Sequence, residues 1–306
     1  VAQLALLALL LILTVARAQG DVVIHVILSE ADGAYREAAD ALRAALGPRA
    51  VLNVAALAEL PPERLRELSR GSDLLVPVGL QAVRALAAQH QGRAPVLMLM
   101  VPRASAERVS WPPALARGKV AAVYIDQPPA RSLALAQRLL PGARRIGVVV
   151  SADHPDGVAA LRQEAARRRL ELQVETITAA GDLSRALRRV LSESDVLVLL
   201  PDALVVNAEN VRNVLLTTYR YRIPVIGFSE GLARAGAVAS VYSSPAQIGR
   251  QGALLIRAWA AGRGELPDST HADTFSLAFN PHVARSLGVA LADPATLRQE
   301  LGATHE

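Results

Sequence analysis

Arg144-Arg145-Ile146-Gly147-Val148-Val149-Val150-Ser151 decides the fold, because it restates Val22-Val23-Ile24-His25-Val26-Ile27-Leu28-Ser29, with Ser29 and Ser151 standing 122 residues apart. Ser194-Asp195-Val196-Leu197-Val198 echoes Ser72-Asp73-Leu74-Leu75-Val76 at the same distance of 122. Ala94-Pro95-Val96-Leu97 and Ile223-Pro224-Val225-Ile226 form a third pair at 129, so about seven residues were added in the second copy ahead of that strand. The repeated runs are apolar almost throughout, as parallel strands covered on both faces must be. Between them lie helical stretches closed by breakers such as Gly47-Pro48 and Pro141-Gly142. Each copy therefore reads as half of an open α/β protein, and the chain as two Rossmann-like lobes with parallel sheets joined by a hinge. A cleft between such lobes suits a ligand.

Working outward, Asp126-Gln127-Pro128-Pro129 is the expected first crossing between lobes and Ser243-Ser244-Pro245 the second. A helix over 246–261 is expected to return to the first lobe, and a strand over 273–279 to cross once more. The first lobe then comprises 21–125 plus about 245–272, the second 126–244 plus about 273–290, and 291–306 forms a C-terminal tail. Short alternating links predict parallel pairing and right-handed crossovers.

Composition narrows the function. The chain has 306 residues, enough for two cores, with 52% hydrophobic and 20% charged residues, as in a globular protein. With no Cys, disulfides, thiolate metal sites and Cys nucleophiles are excluded. The net charge of +5 rests almost wholly on Arg, without the aromatic interleaving of nucleic-acid surfaces, so no nucleic-acid partner is expected. Val1 to Ala16 is uncharged and apolar, and Ala16-Arg17-Ala18 offers small residues at alternate positions. This reads as a secretory signal over 1–18, and the mature chain as a monomer in the periplasm.

Open parallel sheets bind ligands beyond the carboxyl ends of their strands. The first-lobe loops at those ends hold Ser29, Asp32, Gly79 and Gln81, with Tyr35 just behind; those of the second hold Ser151, His154, Asp202, Ser229 and Glu230. Tyr124 and Tyr242 lie near the crossings. Ser29 and Ser151 hold equivalent places, where a hydroxyl holds a carboxylate or caps a helix. Asp202 and Glu230 suit an ammonium group or a cap. The three tyrosines stack on a planar solute or pack against a lobe. His25, inside a strand, reads as a core residue rather than a metal ligand, and Asp153-His154 before Pro155 as a turn rather than half of a triad. No catalytic motif is present and no cofactor is expected, so the chain reads as a binding protein rather than an enzyme.

Ile223-Pro224-Val225-Ile226-Gly227-Phe228-Ser229-Glu230, then Gly236 to Tyr242, Ile248-Gly249-Arg250-Gln251, Phe279-Asn280 and Ala284-Arg285-Ser286-Leu287-Gly288 stand in an order that resembles the ABC transporter substrate-binding family with its tryptophan- and tyrosine-type binders. Leu139 to Val148 resembles the start of that family's second lobe. The resemblance implies a type I periplasmic binding fold, a small-molecule solute and a membrane permease as partner. Asp202, Ser229 and Glu230 fit its pattern. Two places depart from it: Met100-Val101-Pro102-Arg103 stands where the family has Thr or Ser before Asp-Pro, and Asp153-His154 where an Asn is common. An exported sensory module signalling to a membrane partner is the alternative use of the same lobes.

Overall fold

The computed structural model describes residues 22–48, 50–113, 115, 119–152, 155–262 and 264–302. The expected signal segment and His154 lie outside them.

The first half runs β1 (Val22–Leu28), α1 (Ala34–Leu46), β2 (Ala50–Ala56), α2 (Pro62–Gly71), β3 (Leu74–Val78), α3 (Leu80–Gln89), β4 (Val96–Val101), α4 (Arg103–Ala106) and β5 (Val120–Tyr124). The second runs α5 (Pro129–Leu139), β6 (Arg145–Ser151), α6 (Pro155–Arg167), β7 (Glu171–Ile177), α7 (Leu183–Ser192), β8 (Val196–Val198), α8 (Val211–Arg220), β9 (Val225–Gly227), α9 (Glu230–Ala235) and β10 (Ala239–Tyr242). Then follow α10 (Pro245–Ala261), β11 (Thr270–His271), β12 (Ser276–Phe279), α11 (Pro281–Leu287) and α12 (Pro294–Gly302). Two six-stranded sheets result, ordered β11-β5-β4-β3-β1-β2 and β12-β10-β9-β8-β6-β7. The strand orders superimpose position by position, so the repeat in the sequence is a repeat of whole lobes.

Both sheet faces are dry. Ile24, Val26 and Leu28 of β1 pack into one core with Leu42, Ile256 and Trp259, whereas Ile27, between them, enters the opposite core with Leu75 and Leu86. Alternate residues of one strand thus serve two cores, which is why the strand reads as a continuous apolar run. The first core is closed by α10, which lies on α1. Gly249 makes that approach possible: a Cβ there would stand 2.2 Å from the Ala38 carbonyl oxygen.

The repeated Ser-Asp has a structural job in both lobes. The Asp73 carboxylate accepts from the Val23 amide at 2.9 Å, and that of Asp195 accepts from the Arg144 and Arg145 amides, each at 2.8 Å. Each Asp pins the start of the neighbouring strand, and the two pins are themselves 122 residues apart. At Asp195 burial acts to raise the carboxyl, but the Arg145 side chain and the two amides outweigh it and hold it below the ordinary 3.8. A depressed carboxyl contributes stability above its unfolded value that is lost as pH falls through the folded one. Asp195→Asn is therefore expected to lower stability at pH 7 and to flatten the acid limb below about pH 4. Urea titrations at pH 7 and pH 3 that show an equal loss at both would contradict this.

Three features differ from expectation. The last strand, β12, pairs antiparallel with β10, Ala239 facing Phe279 and Tyr242 facing Ser276. The chain re-enters the second sheet from the hinge, at the end where β10 leaves it, and so must run the opposite way. The stretch 103–119, which Trp111-Pro112-Pro113 marks in the sequence as an irregular surface loop, opens with the short helix α4, and the 291–306 tail holds α12. The second of these buries Leu297 and Leu301 in the second-lobe core, and Glu300 takes a bidentate pair from Arg138 at 2.6 and 2.8 Å.

Candidate functional site

Between the carboxyl ends of the two sheets lies a narrow cavity of about 80 Å³. The first lobe and hinge supply Arg103, Ala104 and Glu107 of α4, Asp126 and Gln127 of the first crossing, and His271 of β11. The second lobe supplies Ser132 of α5, Ala160 and Leu161 of α6, Leu199-Leu200-Pro201 after β8, and Phe228 after β9. The second-lobe wall is thus apolar apart from Ser132, and the charges stand opposite it. Arg103 donates to the Glu107 carboxylate at 2.7 Å, which raises the guanidinium above its ordinary value, while the Arg103 amide donates to Asp126. Met100, just ahead, takes a left-handed backbone (φ 55°) at the bulge where β4 slips against β5. That turn sends the chain from the sheet into α4.

None of the described residues expected to bind is among those that line this cavity. Ser29 is buried, its hydroxyl donating to the Val78 carbonyl and accepting from the Ala82 amide, both at 3.0 Å. It satisfies an amide of the first turn of α3, a helix of the same lobe but not the one that follows Ser29 in sequence. Gly79 belongs to the same knot: its φ of 88° suits glycine, and a Cβ there would meet the Ser29 hydroxyl at 2.5 Å and the Tyr35 ring at 2.7 Å. Tyr35 packs on the first-lobe core, and burial followed by Glu30 raises its phenol. Asp32 and Gln81 are exposed.

In the second lobe the Ser151 amide donates to Asp202 at 2.6 Å, and the other carboxylate oxygen of Asp202 accepts from the Leu204 amide at 2.9 Å. Asp202 is 2% exposed and ties the end of β6 to the loop that carries Pro201 to the cavity. Ser229 caps α9 by accepting from the Leu232 amide at 3.2 Å, one residue after Phe228. Glu230 is exposed and pairs with Arg234 at 2.9 Å. Tyr124 is buried and meets His271 edge-on, ring centroids 5.4 Å apart. Tyr242 ends β10, its phenol raised by burial and then by Glu230. His25 faces the Ser72 hydroxyl at 2.9 Å and the Asn53 amide at 3.4 Å, and burial, with Arg64 adding to it, lowers its imidazole. Among the described residues no group of three His, Cys, Asp or Glu is placed to hold a metal ion.

Three wall residues sit next to expected ones: Pro201 before Asp202, Phe228 before Ser229, and His271 against Tyr124. The second-lobe loops at 201–202 and 229–230 border the cavity, whereas the first-lobe loops at 29–33 and 79–81 supply none of its lining. Which residue of each loop turns inward depends on capping geometry that spacing does not reveal.

Two similar α/β lobes, three crossings between them and a cavity at their facing sheet ends define a two-lobed solute-binding protein of the type I periplasmic binding fold. The chain belongs to the ABC transporter substrate binding protein family, whose model matches residues 64–298. No curated protein matches the chain. Among solved structures, an ABC domain from Streptococcus pneumonia in complex with L-Trp is 15% identical, with a TM-score of 0.63 over 91% of this chain and 98% of that one. A ligand-free, open substrate binding protein with adhesive properties from Clostridium difficile is 18% identical, with a TM-score of 0.69 over 89% and 96%. A solute binding protein from Bacillus halodurans with bound myo-inositol is 13% identical, with a TM-score of 0.51 over 88% and 98%. At these identities the likeness establishes the fold.

Proposed function

We propose that the chain is the periplasmic solute-binding component of an ABC importer, a monomer that closes its lobes over a small solute and presents the closed form to a membrane permease. The observation that carries this reading is the cavity between the sheet ends, to which both lobes contribute. A solute touching both walls binds the closed form better than the open one, and that difference drives closure. Moving the population from 1:99 to 99:1 takes about 5.5 kcal/mol of differential affinity.

The solute we propose is an amino acid or related small molecule with an apolar portion. Leu161, Leu199, Leu200 and Phe228 give that portion a dry wall, and Arg103, Glu107 and Asp126 stand opposite for its charged groups. Asp202, Ser229 and Tyr124 serve this site by holding Pro201, Phe228 and His271 in place. Export rests on the apolar leader and on the family's usual place outside the cytoplasm.

Thermal-shift screening of the mature chain against amino acids, nucleosides, sugars and small anions tests the reading. A solute at about 100 times its Kd is expected to stabilise the chain by about 2.7 kcal/mol, roughly 5 °C or more in Tm. Absence of any shift across all four classes would falsify solute capture.

A further inference from the structure

Arg131, the third residue of α5, is 5% exposed and bonds directly to the first and third crossings between the lobes, and to the second only through Gln127. Its Nη1 donates to the Gln127 side-chain carbonyl at 2.9 Å and to the Ala272 carbonyl at 3.0 Å; its Nη2 donates to the Asp273 carbonyl at 3.1 Å. The Phe275 ring lies 4.4 Å from the guanidinium carbon. Gln127 belongs to the first crossing, and residues 272–275 form the third. The second crossing joins through Gln127, whose amide donates to the Ser243 hydroxyl at 2.9 Å, and Ser243 in turn donates to the Thr274 carbonyl at 3.0 Å.

Stability alone does not account for an arginine here. Its hydrogen-bond acceptors are two backbone carbonyls and an amide rather than a carboxylate, and its Nε is buried without a partner. Burial pushes the guanidinium down to about 10, with Asp273 acting against the fall. A cation so placed costs more than an apolar side chain of equal size would. What arginine offers is a planar fork that meets several acceptors in fixed directions, which neither lysine nor methionine can do.

We propose that Arg131 is the positioning residue of the hinge: its fork ties the three crossings into one unit, narrows the range of lobe angles in the ligand-free chain and holds the Gln127 amide at the cavity wall. The proposal rests on the capture reading for its purpose, but its test needs no solute.

Because the chain has no Cys, Arg84→Cys on α3 and Arg212→Cys on α8, both exposed, accept spin labels at those two sites alone. Pulsed electron-electron distance measurement on the full ligand-free chain then reads the spread of lobe angles. In that background Arg131→Lys keeps the charge but loses the fork, and Ser243→Ala removes only the link to the second crossing. Each is expected to broaden the distance distribution roughly twofold, Arg131→Lys the more, with native circular dichroism. A distribution matching the parent in a folded Arg131→Lys protein overturns the proposal, as does a lowered Tm with unchanged distances, the mark of a merely structural role. Should Arg131→Lys fail to fold, Ser243→Ala decides by the same criterion. Failure to find a solute leaves this result untouched.

Discussion

Replacing Asp202 by Ala is expected to cost about 3 kcal/mol of stability, the sum of a buried charge-assisted hydrogen bond and a half-buried one. The carboxylate takes the Ser151 amide at 2.6 Å, at a position 7% exposed, and the Leu204 amide at 2.9 Å. Alanine leaves the first amide without an acceptor where water cannot readily follow, and the second open to solvent. Asn in the same place keeps one acceptor oxygen but turns an amide NH₂ towards the other donor, so it is expected to recover only part of the loss. Urea unfolding of the three proteins measures both steps. A loss below about 1 kcal/mol for Asp202→Ala would mean that the β6 end and the 202–204 loop hold together without the carboxylate. Solute affinity should fall as well, because Pro201 and Leu200 line the cavity and the bond to Asp202 holds their loop against β6. A support can thus matter to binding without touching the solute.

The 122-residue repeat made both sheets legible, since parallel strands must be apolar on both faces and the Ser-Asp pin recurs wherever β1 or β6 begins. The first crossing was legible because Asp126 to Pro129 breaks the pattern between copies. Direction and length were less so. The reversal of β12 follows from where the chain re-enters the sheet, which no local pattern records. α4 and α9 are too short for a helical period to emerge. At the site, Ser29 and Asp202 looked like ligand groups because they end strands, where ligands bind in such folds. In the structure Ser29 bonds to the backbone of Val78 and Ala82, and Asp202 to the backbone of Ser151 and Leu204. Phe228 and Leu199 carry no polar signal at all, so a search for binding chemistry among polar residues passes over them. Arg131 was hidden for a different reason. Two of its three acceptors are carbonyls 141 and 142 residues away, and α5 taken alone is an ordinary amphipathic helix.

Ala160→Trp is expected to reduce affinity for whichever solute stabilises the parent by roughly 100-fold or more, equivalent to about 2.7 kcal/mol. Ala160 sits half-exposed on α6 at the cavity wall, one residue before the buried Leu161, so a larger side chain there extends into the gap rather than into the second-lobe core. The cavity is about 80 Å³, and an indole placed in it competes directly with the solute. The same substitution should leave the ligand-free Tm within about 3 °C of the parent, as expected for a change outside the core. The pairing of outcomes gives the test its force. Lost binding with a kept Tm locates the solute between the sheet ends; retained binding moves it elsewhere and removes the main support for closure over that gap. A fall in both would mean that the indole has displaced α4, which contacts α6 across the cleft. Ala104→Trp on that facing helix then repeats the occlusion from the first lobe, and solute binding at parental strength in the folded Ala104→Trp protein would sink the cleft as the binding site.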